Sequence, residues 1–340
     1  MPAPALRGCD SGVMTNLESR PAAQDCTHHT TSGPVLELHE ARDVPLGGLR
    51  DMAVRRTLPQ RALPTVGAWC FLDEIGPQEV DMRVLPHPHT GLQTVTWPVE
   101  GEIRHRDSVG SDVVVRPGQL NLMTAGRGVA HSELSVSPGA RLHAVQLWVA
   151  LPPGAATGPA SFQQVTALPE WRAPGVAATV MVGTLAGVTS PAVVHTPLVG
   201  ADVVVDAGAS VRVPLEPGFE HAVLVLRGAA SVAGTAVAPG PLLYLGDGRP
   251  EVTVTSAAGA RLLVLGGEPF GHDLVMWWNF VGRDHDAIER ARSDWEAPDR
   301  ARRFGRVVGH PGDDVGGTTE RIPAPVLPHV RLRPRRRGPR

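Results

Sequence analysis

Two short polar pairs, His87-Pro88-His89 and His131-Ser132-Glu133, set the terms on which this chain can fold. Each places two metal-competent side chains at i and i+2, and residues two apart on an extended strand share a face. Two such strands lying close together can aim all four groups at one ion. Between the pairs runs TGLQTVTWPVEGEIRHRDSVGSDVVVRPGQLNLMTAGRGVA, a series of short β-prone runs broken by Gly, Pro, Asp and Ser. That is the punctuation of antiparallel hairpins. The stretch predicts a small β-barrel whose first and last strands come together.

Composition extends this reading to the whole chain. A length of 340 residues with 42% apolar and 19% charged positions accommodates two ordinary domains, each with its own core. With 38 Gly, 33 Pro and little sustained helical periodicity, strands and turns are favoured over a helical bundle. A net charge of −2 gives no general attraction to nucleic acid or anionic membrane, so neither is an expected partner, and a monomer is expected. Cys9, Cys26 and Cys70 match neither a disulfide framework nor a zinc knuckle, and read as free thiols of a reducing cytoplasm. No uncharged apolar run approaches the roughly 20 residues that span a bilayer. Residues 1–33 lack periodicity and read as a disordered extension that carries the adjacent His28 and His29, with Met14 as an alternative start.

Order is expected from about Val35. The run AWCFL reads as a buried strand ending in a turn at Gly76 and Pro77, with Cys70 as a small core residue. Gly101 closes a hairpin, and further turns fall at 107–110, 117–118 and 125–128. The strand at 141–152 puts Leu142, Ala144, Gln146, Trp148 and Ala150 on one face and His143, Val145, Leu147, Val149 and Leu151 on the other. On that more apolar face His143 reads as a satisfied core histidine rather than a fifth ligand. PPGAATGPASFQQV then reads as a linker.

A second all-β region, about 160–267, repeats the order of apolar strand, Gly turn, short strands and Pro-Gly turn, as in a degenerate duplication. Its Glu220 and His221 are adjacent, so they point to opposite faces, and no metal site is expected there. Towards the end, Asp286 and Glu289 suit a capping box, and Ile288, Ala291 and Trp295 form an apolar helix stripe. Six Arg in the last ten residues make a basic tail, read as frayed.

Three imidazoles and one carboxylate make a nitrogen and oxygen donor set suited to one divalent first-row metal: Fe(II), Mn, Co, Ni, Cu or Zn. A six-coordinate ion with four protein ligands keeps two positions for water, O₂ or a chelating substrate, which is a catalytic or sensory arrangement. Gly91, Gly126 and Gly128 permit the turns that would set the strand ends around it. Met123, Thr124, Gln146 and Trp148 lie on strands near the ligands as candidate pocket residues, with core packing the favoured role for Met123 and Trp148.

HPHTGLQTVTWPVEGEIRHRDSVG followed by PGQLNLMTAGRGVAHSE resembles the signature of the pirin family, a branch of the cupin superfamily. The likeness runs on through QLWVALP and the second region to GEPFGHDLVMWWNFVGRDHDAIERARSDWE and RFG, covering roughly residues 35–330. It implies an all-β bicupin of two double-stranded β-helix barrels with a C-terminal helix. The corresponding boundaries are 34–153 for the N-terminal barrel with a metal site, 154–267 for the C-terminal barrel without one, 268–330 for a closing segment and 331–340 for the tail. His87, His89, His131 and Glu133 match the family's metal ligands one for one, and the family's association with iron puts Fe(II) first.

Two functional classes follow from the resemblance. In the first, the protein is a quercetin 2,3-dioxygenase-type oxygenase that cleaves a flavonol-like aromatic substrate with O₂ and releases CO, with Glu133 shifting to act as catalytic base. In the second, it is a metal- or redox-dependent binding protein that regulates transcription or a metabolic enzyme through a protein partner.

Overall fold

The computed structural model describes residues 33–46, 52–310 and 321–334. The 1–32 part of the expected extension, with Met14, Cys9, Cys26, His28 and His29, and residues 335–340 of the basic tail lie outside the described residues.

Each half is a pair of antiparallel sheets folded against one another. In the first, a seven-stranded sheet runs in the order Ser161–Val165, Leu120–Thr124, Leu92–Glu100, Arg141–Ala150, Trp69–Glu79, Met52–Leu58 and Arg42–Leu46. It faces a four-stranded sheet ordered Arg83–His89, Val129–Ser135, Ile103–Asp107 and Asp112–Val115. The first and last strands of the histidine-bracketed stretch, Arg83–His89 and Val129–Ser135, are direct neighbours, as the hairpin punctuation predicts. The second half repeats the plan, with an eight-stranded sheet facing the four strands Ala209–Pro214, Glu251–Ser256, Ala230–Val232 and Thr235–Val237. The fold is a bicupin.

The expected boundary at 153/154 is crossed in both directions. Pro34–His39 pairs with Leu242–Gly246 of the second barrel, and Ser161–Val165, read as linker, pairs with Leu120–Thr124 of the first. Composition marks PPGAATGPASFQQV as a connector, but the alternating SFQQV has backbone groups that only a neighbouring strand satisfies inside the fold.

Alternation along the strands separates the interior of each barrel from the core between them. On Arg141–Ala150, Leu142, Ala144, Trp148 and Ala150 enter the first barrel, whereas Val145, Leu147 and Val149 pack against the second barrel's sheet. The second barrel is filled mainly by valines, among them Val180, Val203, Val223 and Val254. Polar contacts pin the sheet-on-sheet interface: Trp97 Nε1 donates to Asp202 Oδ2 (2.8 Å), and Trp69 Nε1 lies 3.0 Å from the Gly266 carbonyl. His143 is buried in the core, as expected, with its Nε2 paired to Glu74 Oε1 at 2.8 Å, and Cys70 is a buried core residue whose Sγ lies 3.6 Å from the Trp148 carbonyl.

Two local expectations are corrected. Gly76 and Pro77 do not end a strand, because Trp69–Glu79 continues through them. Gly76 takes φ +72 and the ladder with Arg141–Ala150 shifts register there, so the glycine makes a bulge, and a Cβ on it would lie 2.2 Å from the Leu142 carbonyl oxygen. The helix His285–Glu296 buries Ile288, Ala291 and Trp295, but its cap is Asp284, whose carboxylate accepts from Ala287 N–H at 2.7 Å. Asp286 sits inside the first turn instead, and pairs with Arg331. No helix among the described residues is long and apolar enough to cross a membrane.

Asp202 is buried between the barrels and serves both Trp97 and Arg261, whose Nε lies 2.9 Å from Asp202 Oδ1. Asp202→Ala leaves an indole N–H and a partly buried guanidinium without an acceptor, and is expected to cost about 2–4 kcal/mol. A lowered urea midpoint with unchanged strand content by circular dichroism is the outcome that checks it.

Candidate metal centre

The register of three strands assembles the site. Arg83–His89 and Val129–Ser135 run antiparallel with His131 opposite His87 and Val129 opposite His89, so both histidines of the first pair flank His131. The ring centroids lie 4.3 Å apart for His87 and His131, and 5.0 Å apart for the other two pairs. Candidate ligand atoms of His87, His89 and His131 all lie within 4.8 Å of one another, and each residue is 1% exposed. Glu133 belongs to a second, overlapping group with His131 and His105. Three of the four predicted ligands therefore converge directly, and the carboxylate stands at the edge of that triad, sharing His131 with it.

Each imidazole is held from behind. His87 Nδ1 donates to the Leu85 carbonyl (2.9 Å) and His89 Nδ1 to the Asn279 carbonyl (3.2 Å). His131 Nδ1 lies 3.4 Å from His105 Nδ1, and His105 Nε2 lies 3.0 Å from Asp107 Oδ2. The Asp107 carboxylate accepts from His105 Nε2–H, which leaves His105 Nδ1 to accept from His131 Nδ1–H. This network assigns all three tautomers as Nδ1–H and frees every Nε2 lone pair.

Two of those lone pairs meet. His89 Nε2 and His131 Nε2 stand 3.0 Å apart. Burial, and next to it the neighbouring His87, hold both imidazoles well below the usual range, so a proton between them is disfavoured. Two nitrogens each about 2.1 Å from one cation can stand this close. The residues present thus fit a first-row ion, and the histidine and glutamate cluster could hold one.

The carboxylate is tuned separately. Burial pushes Glu133 above the ordinary range, opposed by His105 and by the Thr96 hydroxyl, which donates to its Oε1 at 2.9 Å. Thr96 Oγ1 also lies 3.1 Å from Gln146 Oε1. Glu133 and Gln146 are buried beside the three imidazoles, at 6% and 7% exposure against 1%. Of the other candidate wall residues, Trp148 meets His89 edge-on at 5.1 Å and Met123 fills the barrel core. Thr124 is corrected: it accepts from Gln93 Nε2 on the opposite face of the sheet, away from the imidazoles.

Sequence reasoning missed Thr96, His105, Asp107 and Asn279. His105 and Asp107 carried the signal already used for the ligands, two metal-competent groups at i and i+2, on the strand that pairs Glu133 with His105 and His131 with Asp107. Asn279 carried none, since it acts through its backbone carbonyl. It is delivered by the turn between Val275–Trp277 and Phe280–Gly282, which docks on the ligand strand through a Thr90–Phe280 bridge.

Two antiparallel double-sheet barrels, with a cluster of buried imidazoles and a carboxylate inside the first, define a cupin of the two-barrel class. The chain belongs to the pirin family: the Pirin model matches residues 51–149 and the pirin C-terminal cupin domain model matches residues 200–302. A Pseudomonas aeruginosa protein named "Putative quercetin 2,3-dioxygenase" is 41% identical over 322 residues, covering 93% of this chain and 98% of its own length. The crystal structure of quercetin 2,3-dioxygenase from Acinetobacter baumannii superposes with a TM-score of 0.82 at 38% identity, over 88% of this chain and 98% of that one. Bacterial pirin YhhW from Escherichia coli, solved in complex with nickel(II), shares the fold with a TM-score of 0.57 at 17% identity, over 69% of this chain and 100% of that one.

Two outcomes follow from the geometry. Removing the brace in Asp107→Ala is expected to weaken metal affinity about 10- to 100-fold, read by chelator competition with the protein still folded. Burial also holds His87 at about 4, well under its unfolded value of 6.5. Between these values the unfolded chain binds more protons, so metal-free protein loses stability as pH falls through that window. His87 alone contributes about 2 kcal/mol of that loss at pH ~5. Urea midpoints of metal-free protein near pH 7.5 and pH 5 check this, with a shallower slope expected for His87→Leu.

Proposed function

We propose that this pirin is a mononuclear metal oxygenase of the quercetin 2,3-dioxygenase type, with His87, His89, His131 and Glu133 holding one divalent ion, Fe(II) in first place. The observation that carries the reading is the pair of bare Nε2 atoms 3.0 Å apart in a buried site whose Nδ1 protons are all engaged elsewhere. The names of the relatives at 41% and 38% identity point to a flavonol as the substrate class. When bound, the ion supplies Lewis acidity toward the flavonol 3-hydroxyl.

The chain's own residues supply the rest. Glu133, held above the ordinary carboxylate range by burial, shifts to take the 3-hydroxyl proton. Thr96 positions that carboxylate: its single hydroxyl proton can serve Glu133 or Gln146, and turning it to Gln146 frees Glu133 Oε1 to accept from substrate. Trp148, stacked on Phe71 at 3.9 Å, is a rigid apolar wall against an aromatic ligand. Overall, flavonol and O₂ give a ring-opened ester and CO.

The test loads protein anaerobically with Fe, Mn, Co, Ni or Cu, then adds quercetin and O₂ while following the flavonol absorbance and CO. Loss of the band with stoichiometric CO is expected for at least one metal. His87→Ala is expected to lose metal and turnover together, whereas Glu133→Gln loses about 10²-fold or more in kcat while keeping measurable metal. Absence of CO with every metal overturns the activity, and undiminished metal content in His87→Ala overturns the site.

A further inference from the structure

The second barrel has a mouth of its own. A cavity of about 700 Å³ opens there between the 183–199 segment and the strands around Pro214 and His221. This size lies within the range of sites that enclose small organic ligands.

The duplication shows which part of the fold this is. Gly91 and Gly101 bracket the strand after the first histidine pair, and Gly218 and Gly228 bracket its counterpart with the same spacing. In that alignment Pro214 stands where the first barrel has His87, Glu216 where it has His89, and His221 where it has Thr94. Burial agrees: Ala222 and Leu224 join the core between the barrels, as Val95 and Trp97 do, and Val223 and Val225 fill the second barrel. The cavity is therefore the second barrel's equivalent of the metal-bearing mouth. It has lost the ligand pairs, and no further cluster of three metal-binding groups occurs there among the described residues.

What replaced the ligands is specific. His221 lines the cavity at 1% exposure, and both of its ring nitrogens lack a hydrogen-bond partner. Room for the ring exists because residue 266 is glycine: a Cβ there would come 2.5 Å from His221 Cδ2. Thr196 Oγ1, also lining the cavity, is buried without a partner. Burial holds His221 down at about 4, with the Phe219 carbonyl tempering this from outside hydrogen-bond geometry, so at neutral pH the imidazole offers one donor and one acceptor. Phe219, Pro191 and Leu198 supply apolar wall. Among the described residues no arginine lines the cavity, and the one acidic residue there, Glu216, opposes anions.

We propose that the mouth of the second barrel is a binding site for a neutral, hydroxyl-bearing aromatic molecule, whose hydroxyl groups pair with His221 and Thr196 while its ring lies against Phe219. Such a ligand satisfies buried polar atoms that otherwise carry a desolvation cost, and its ring matches the apolar wall. The site stands independently of any reaction in the first barrel.

Resorcinol is the probe, because its hydroxyls are placed too far apart to chelate a metal, and benzoate is the anionic control of similar size. Calorimetric titration of the full-length, metal-free protein is expected to give one saturable resorcinol site with a Kd of about 1 mM or tighter, and none for benzoate. His221→Leu is expected to weaken resorcinol at least about tenfold and Thr196→Val about threefold or more, both keeping the parent melting transition and metal uptake in the first barrel. Should His221→Leu fail to fold, Thr196→Val alone decides. No saturable resorcinol binding, equal binding of benzoate, or parental affinity in the folded variants overturns the proposal.

Discussion

Three imidazoles held inside an apolar barrel, with their Nδ1 protons engaged and their Nε2 lone pairs turned on one another, are the constraint around which the rest of this structure is arranged. Burial alone keeps these rings uncharged, which a metal ligand requires, but it leaves their orientation free. Orientation comes from what stands behind them. His87 is braced by a carbonyl of its own strand, His131 by the His105 and Asp107 pair of the next strand, and His89 by a carbonyl contributed about 190 residues later in the chain. The closing segment thus reaches into the first barrel as far as His89.

The two barrels show how one framework carries two kinds of mouth. They share the sheet-on-sheet core of Val95, Trp97, Leu147, Leu224 and Leu263. The first mouth gathers bare nitrogens against one another, a state that a cation relieves. The second places the ring of His221 and the hydroxyl of Thr196, buried polar groups with no partner among the described residues, in the lining of a cavity. The exchange of Pro34–His39 and Ser161–Val165 between halves ties the barrels into one body, so neither is expected to behave as a detachable domain.

Much of the site was legible because its information is local. An i, i+2 pair on a strand declares a shared face, and turn residues declare where strands end, so His87, His89, His131 and their juxtaposition follow from spacing. The same rule covered His105 and Asp107, and only the pairing of Ile103–Asp107 with Val129–Ser135 gave that pair its role. Thr124 failed for the converse reason: proximity in sequence to the mouth says nothing about which face a side chain takes until strand phase is fixed, and its phase sends it to Gln93. Gly76 and Asp286 show the same limit at single residues. A Gly-Pro step suits a turn or a bulge equally, and the cap of a helix is settled by where the extended backbone ends, at Asp284.

The sequence by itself determined the all-β class, the duplication and the donor chemistry of the candidate metal centre, because periodicity, turn chemistry and ligand spacing are properties of neighbouring residues, and its motifs carried the resemblance to the family. Only the tertiary structure decided that Glu133 stands at the edge of the imidazole triad, that Asn279 and Asp107 brace it, which strands cross between barrels, and that the second mouth encloses an unpartnered histidine. Each of these depends on contacts between residues distant in the chain, whose meeting is set by sheet register and by the burial of one sheet against another.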